Sequence, residues 1–323
     1  MTGDLTTPID ILVSEVGPRD GLQNVEAIMP IAARKAWIDA EAAAGVREIE
    51  VGSFVPAKLL PQLAGTAEVV AHARTIPGLT VAALVPNARG ARDAIAAGAH
   101  KITLPLSVSE THSLRNLRRT HEQVLAEAAE IVAMIRDLPA ERRPHFEGSL
   151  STAFGCTLEG AIPDAQILRL AEALMAAGCD EVGLSDTTGY ADPRAVKEMI
   201  REVRGVVGAN ALTGIHLHNT RGLGLANVLA ALEMDIETID SSLGGIGGCP
   251  FAPGASGNIV TEDLVFMLQA MGLRTGIDLE ELLGVRRILA DALPGEPLYG
   301  FTPDAGLPLG FVPEPASIPL ETI

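Results

Sequence analysis

One alternation organises the chain. Short apolar runs take turns with longer amphipathic ones, eight times between Ile11 and Met271. The short runs read as strands at 11–16, 48–51, 80–85, 101–106, 145–151, 181–184, 211–217 and 238–242. The longer ones read as helices at 31–44, 60–74, 88–97, about 113–137, 163–177, 193–206, 223–233 and 261–271. Gly45, Gly98, Gly178 and Gly272 stand where helix C-caps are needed, and Asp192-Pro193 is a helix start. Strand–helix alternation predicts an α/β fold with a parallel sheet and helices outside it. Eight such units predict a (β/α)8 TIM barrel. The competing arrangement, an open doubly wound sheet, lacks its usual GxGxxG after the first strand. A polar helical segment at about 279–292 and a Pro/Gly-rich tail follow Gly272. One domain is expected, with the barrel over 1–278 and a short C-terminal helical extension over 279–323.

Composition narrows the partners. Hydrophobic residues make up 47% of the 323 and aromatics only 3%, so the core must be built from Ala, Val, Leu and Ile. A net charge of −17 argues against nucleic acid and against an anionic membrane surface. It still permits an anionic small substrate, because a local cluster of cations outweighs distant charge. Cys156, Cys179 and Cys249 form no CxxC and no disulfide framework, which fits a reducing cytoplasmic setting. The N-terminal residues resemble neither a signal nor a transit peptide, and no apolar run is long enough for a transmembrane helix.

In a barrel, chemistry sits where strands end. Reactive residues gather at those places here. After strand one comes Arg19-Asp20-Gly21. Taken alone this reads first as a surface ion pair or turn, and second as an arginine that polarises a substrate oxygen beside a metal-binding aspartate. Strand two places Glu48 and Glu50 on one face, opposite Ile49 and Val51. A buried acid needs a partner, and Arg19 is the candidate for Glu50. Strand six ends at Asp186, a substrate contact or a turn cap. Strand seven carries His216 and His218 two positions apart, hence on one face. With Asp20 they offer two nitrogens and a carboxylate, a set suited to Mn²⁺, Co²⁺, Fe²⁺, Zn²⁺ or partly hydrated Mg²⁺. After strand eight a glycine-rich stretch holds Cys249, either an inert filler or a reactive thiol on a mobile rim. Asn258 follows, with Glu262 one turn on.

Four segments carry a family resemblance. They are Glu-Val-Gly-Pro-Arg-Asp-Gly-Leu-Gln-Asn (15–24), Ile-Glu-Val-Gly-Ser-Phe-Val (49–55), His-Leu-His-Asn-Thr (216–220) and Gly-Gly-Cys-Pro-Phe-Ala-Pro-Gly-Ala-Ser-Gly-Asn (247–258). Together they make the chain resemble the 3-hydroxy-3-methylglutaryl-CoA lyases, within the metal-dependent TIM-barrel lyases and Claisen synthases. The resemblance implies a divalent cation, Mg²⁺ or Mn²⁺ with Co²⁺ and Zn²⁺ as alternatives, held by Asp20, His216, His218 and Asn258. It implies Glu262 as support behind these ligands. It implies catalytic roles for Arg19 at an enolate oxygen, Glu50 as its orienter, and Asp186 and Cys249 in proton transfer. Gln23, Lys58 and Arg221 would contact substrate. The implied partner is an acyl-CoA, the implied setting leucine degradation in the cytoplasm, and homo-oligomers fit the pattern.

The implied reaction is retro-Claisen cleavage of a 3-hydroxyacyl-CoA to acetyl-CoA and a 3-oxo acid, acetoacetate. Three departures widen the substrate question, one of them Ser151-Thr152-Ala153-Phe154-Gly155-Cys156 in place of a Ser/Cys-rich segment. The family's His-x-His-Asp-Thr-Tyr-Gly-Gln reads here His218-Asn219-Thr220-Arg221-Gly222-Leu223 after His216, and Ser-Phe-Val-Ser-Pro-Lys reads Ser53-Phe54-Val55-Pro56-Ala57-Lys58. Arg221 would add a cation near the site, so citramalyl-CoA or a longer 3-hydroxyacyl-CoA are alternatives. An isopropylmalate-synthase-type condensing enzyme is another, favoured by Asn219 and disfavoured by Gly-Gly-Cys-Pro. A catalytically dead, ligand-binding barrel is the non-enzymatic reading, and the completeness of the polar set speaks against it.

Overall fold

The computed structural model describes residues 8–247 and 257–312. The first half runs β1 (Leu12–Glu15), α1 (Ile31–Ala43), β2 (Glu48–Ser53), α2 (Thr66–Ala73), β3 (Thr80–Leu84), α3 (Ala88–Ala97) and β4 (Lys101–Ser107). Next come α4 (Glu110–Asn116), α5 (His121–Arg136), β5 (His145–Ser151), α6 (Asp164–Ala177), β6 (Glu181–Asp186) and α7 (Pro193–Val207). The chain finishes with β7 (Gly214–Leu217), α8 (Gly224–Leu232), β8 (Thr238–Ser241), α9 (Thr261–Ala270), α10 (Leu279–Ala292) and α11 (Phe301–Ala305). The eight strands pair in sequence order, all parallel, and β8 closes onto β1, giving the expected (β/α)8 barrel.

The strands sort their side chains by alternation. Val13, Ile49, Val81, Ile102, Leu104, Phe146, Val182, Leu184, Ile215 and Ile239 are all almost fully buried and form, with the helices, the apolar core. Their neighbours Ser14, Glu48, Glu50, Ala82, Lys101, Thr103, Glu147, Ser149, Ser185, His216 and Asp240 line the cavity inside the barrel. Barrel interiors are usually packed with branched aliphatics. This one is a polar lumen.

Local signals place most helix ends. Gly98 and Gly178 close α3 and α6 in left-handed conformation, and Asp192 Oδ1 accepts the Arg194 and Ala195 amides at the start of α7. Two expected helices are each divided. The segment 60–74 is a 3₁₀ turn at Pro61–Leu63 followed by α2, because Gly65 adopts φ +78° between them. The segment 113–137 is α4 and α5, separated around Arg118, whose φ is +56°. A capping box explains the restart. Thr120 Oγ1 accepts the Gln123 amide while Gln123 Oε1 accepts that of Thr120.

Outside the lumen, β1 and α1 trap carboxyls. Glu15 Oε1 accepts the Gly17 amide, both its oxygens accept the Leu243 amide, and Oε2 accepts the Thr261 hydroxyl. Burial pushes Glu15 up to about 8. Burial likewise holds Glu41, which faces Glu15 from α1, well above its ordinary range. Glu262 adds like charge, and the nearby cation, Arg286, is bonded to Glu262. The folded state therefore keeps protons that the unfolded chain sheds above the ordinary value of 4.5. For a raised acid, stability is fully present below the unfolded value and falls as pH rises toward the folded one. Melting temperature should decline from pH 5 to pH 8, and Glu41→Gln should flatten that decline. Parallel slopes for the two proteins in calorimetry would remove Glu41 as the source.

Candidate active site

The centre of the site is Asp20, carried on a π-helical turn at Gly17–Gly21 that continues β1. The turn is tight because the Asp20 amide bonds Val16 O at 2.7 Å. Glycine is required at position 17, where a Cβ would lie 2.5 Å from Glu15 Oε1 and 2.8 Å from the Trp37 ring. Asp20 Oδ1 accepts Arg19 Nη1 at 2.5 Å and Gln23 Nε2 at 2.7 Å. Asp20 Oδ2 accepts Asn258 Nδ2 at 2.8 Å. Burial opposes the charged form of Asp20, but Arg19 and the two histidines outweigh it and hold the carboxyl well below its ordinary range.

β7 brings the histidines. His218 Nε2 lies 3.6 Å and His216 Nε2 4.0 Å from Asp20 Oδ2. The two Nε2 atoms are 3.0 Å apart. One donor atom from each of Asp20, His216 and His218 falls within a 4.8 Å cluster. His216 Nδ1 is 3.0 Å from Asp240 Oδ2, its neighbour across the β7–β8 pair. For neutral His216 that bond places the proton on Nδ1 and the lone pair on Nε2, facing His218 and Asp20.

A divalent cation fits this set. His218 Nδ1 and Asn258 Oδ1 are buried without hydrogen-bond partners. The donor edges of 3.0–4.0 Å suit metal–ligand bonds of about 2.1 Å. Asn258 reaches the site from the far end of the chain, bridging to His218 and bonding Ile246 O. Gly247, at φ +102°, packs against the site: a Cβ there would lie 2.8 Å from Asn258 Nδ2 and 3.1 Å from Asp20 O.

Arg19 couples the cluster to β2. Its Nε donates to Glu50 Oε2 at 2.5 Å, and Nη2 has no hydrogen bond among the described residues. Arg19 lines the cavity. Burial disfavours its charge, yet Glu50 and Asp20 raise the guanidinium above its ordinary value. Burial pushes Glu50 up to about 7 despite Arg19.

The cavity of about 730 Å³ runs from this cluster to a mouth lined by His112, Arg115, Arg118 and Arg119. Further in, Lys101 Nζ pairs with Glu147 and Glu181, both at 2.9 Å, and with Glu48 at 3.8 Å.

Other expected residues are placed differently. Asp186 alternates away from the lumen, and its oxygens accept the Tyr190 and Ala191 amides, which is the turn-cap arrangement. Burial raises its carboxyl. Glu262 touches none of the four ligand candidates. Its position in the first turn of α9 aims it at the Gly244 amide and Arg286, so it braces the strand-eight exit instead. Arg221 donates to Thr188 O and Gly189 O and stacks 4.5 Å over Tyr190, so its charge is spent on the β6 loop rather than the cavity. Lys58 is exposed and outside the cavity lining, whereas Gln23 is part of it. Cys249 lies outside the described residues.

Sequence reasoning missed Asp240, the Lys101 cluster and the arginines of the mouth. Asp240 was signalled as a charge inside a buried strand, the same signal that singled out Glu50. The arginines fall in a segment whose pattern predicts one continuous helix over 113–137.

Known proteins share this architecture. A family model described as HMGL-like matches residues 10–289. The cytoplasmic 3-hydroxy-3-methylglutaryl-CoA lyase of Rattus norvegicus is 39% identical over 276 residues, 85% of this chain and 79% of the relative. The hydroxymethylglutaryl-CoA lyase of Bacillus subtilis (strain 168) is 38% identical over 291 residues, 90% of this chain and 95% of the relative. Among solved structures, an HMG-CoA lyase from Acinetobacter baumannii in complex with coenzyme A and 3-methylmalate superposes with a TM-score of 0.86 at 40% identity, covering 94% of this chain and 98% of that one. The carboxyl transferase domain of Rhizobium etli pyruvate carboxylase, 17% identical with a TM-score of 0.67, shares the fold alone. A family model spanning most of the chain and relatives at this identity place the protein in the HMGL-like family.

Proposed function

We propose that the protein is a divalent-metal-dependent carbon–carbon lyase that cleaves 3-hydroxy-3-methylglutaryl-CoA to acetyl-CoA and acetoacetate. The observation that carries this reading is the convergence of Asp20, His216 and His218 beside Arg19, in a cavity large enough for an acyl-CoA head. The names and coverage of the relatives support it. Asp20, His216, His218 and Asn258 would hold the cation, Mg²⁺ or Mn²⁺ on the family resemblance. When bound, it supplies Lewis acidity that eases loss of the substrate's 3-hydroxyl proton.

In the reaction that proton leaves, the C2–C3 bond breaks, and its electron pair moves to C2 as the thioester enolate. A proton then adds at C2. Arg19 offers Nη2 toward the thioester oxygen, where negative charge develops. Glu50 and Asp20 hold two edges of its guanidinium, so this donor is set before substrate arrives. Cys249 is the proposed proton donor to C2, on the resemblance of its segment. Arg115 and Arg118 supply positive charge at the mouth for the phosphates of coenzyme A, beside Arg119, which is paired with Glu127 at 2.6 Å. The engagement of Arg221 with the β6 loop removes the reason to expect an additional acidic group on the substrate. Free, buried Cys156 and Cys179 suit a reducing compartment such as the cytoplasm. No helix among the described residues is long and apolar enough to cross a membrane.

Three measurements test this reading. EDTA should abolish release of acetyl-CoA from the substrate, and Mg²⁺ or Mn²⁺ should restore it. Asp20→Ala and His216→Ala should each lower turnover by about 10³-fold or more at fixed metal. Metal-independent cleavage, or wild-type rates in either variant, would sink the assignment.

Cys249→Ser should depress kcat far more than metal affinity. An equal loss of both would make the cysteine structural. Arg115→Ala combined with Arg118→Ala should raise KM about tenfold, more at low ionic strength, with kcat nearly unchanged. An unaltered KM would move the phosphates elsewhere.

A further inference from the structure

We propose that Asp240 is a positioning residue: it fixes the tautomer and ring orientation of His216 and so sets how tightly the barrel holds its cation. The proposal rests on the metal-dependent reading above, but it concerns a residue outside the ligand set.

Three observations carry it. First, Asp240 and His216 are register partners on β8 and β7, both directed into the lumen, with Oδ2 3.0 Å from Nδ1. The bond is built into the sheet rather than made by a flexible loop. Second, Asp240 has no competing partner. The obvious cation in the lumen, Lys101, is already held by Glu48, Glu147 and Glu181. His216 is the sole basic side chain within ion-pair distance of Asp240 among the described residues. Third, the two histidines differ. His218 Nδ1 is buried with no partner, whereas His216 Nδ1 is tied to a carboxylate. One imidazole is therefore locked in the form that presents a lone pair, and the other adapts to it. A carboxylate behind a ligating imidazole fixes its tautomer and raises its basicity.

The substitutions separate these effects. Asp240→Ala removes the acceptor. Asp240→Asn keeps the shape but can turn its amide N–H toward Nδ1, which would force the proton onto Nε2 and block ligation. Asp240→Glu retains a carboxylate. The readout is Mn²⁺ binding to the full chain without substrate, by calorimetry and by electron paramagnetic resonance. Asp240→Ala and Asp240→Asn should weaken binding about 10–100-fold, with Asp240→Glu recovering part of the loss. The melting temperature of the metal-free protein should not change. In a His216→Ala background, Asp240→Ala should have little further effect, because the two act as one unit.

Wild-type Mn²⁺ affinity in Asp240→Asn, additive losses in the double variant, or a metal-free protein that melts lower in step with the affinity loss would each overturn the proposal. If Asp240→Ala fails to fold, the Asp240→Asn comparison carries the test. A wild-type protein that binds Mn²⁺ but cleaves no 3-hydroxyacyl-CoA would sink the lyase reading and leave this one standing.

Discussion

Charge compensation inside a closed barrel governs this structure. Eight strands surround the lumen, so each ionised group there must be answered by another group or by an ion. Lys101 is answered by three glutamates. Arg19 is answered by Glu50 and Asp20. Asp240 takes a hydrogen bond from His216 Nδ1. Beside these pairs, donor atoms of Asp20, His216 and His218 gather in one cluster, and Asn258, bonded to Asp20, carries a buried oxygen without a partner. That group is the donor set of a divalent cation.

The same constraint operates behind the barrel wall, with a different solution. Glu15 faces outward and gathers the Gly17 amide, the Leu243 amide and the Thr261 hydroxyl. These belong to the turn that bears Asp20, the exit of β8, and the start of α9 next to Asn258. One buried carboxyl therefore ties together both ends of the chain's contribution to the site. Glu262 does the neighbouring job, linking Gly244 to Arg286 of α10. Such ties explain how residues separated by 238 positions, Asp20 and Asn258, meet at 2.8 Å.

Much of this was legible from residues alone. Eight alternating units gave the barrel, and strand-end motifs gave Arg19, Asp20, Glu50, His216 and His218. What escaped has a common cause. Strands of a parallel sheet covered on both faces usually read as continuous apolar runs. Here they alternate, as in Lys101-Ile102-Thr103-Leu104 and Glu181-Val182-Gly183-Leu184-Ser185. That alternation announces a polar lumen, and following it would have found Lys101, Glu147 and Asp240. Arg221 and Glu262 failed for another reason. Sequence proximity to a ligand does not fix direction, and both side chains are drawn off by nearer partners, the carbonyls of the β6 loop and the pair Gly244 and Arg286.

Direction also explains why the two acids at strand ends, Glu50 and Asp186, have different scope. Glu50 occupies an inward position on β2 and meets Arg19 in the cavity. Asp186 occupies an outward position on β6, beside Leu217 rather than His216 in the sheet register. Its oxygens are taken by two loop amides. Each oxygen keeps lone-pair capacity beyond its one amide, and the carboxyl lies near enough to His216 and His218 to feel their charge. Arg221 grips the same loop at Thr188 O and Gly189 O and packs on Tyr190. The arginine that departs from the family pattern therefore acts as a brace on the loop that Asp186 caps, and its consequence is rigidity at the rim of the site.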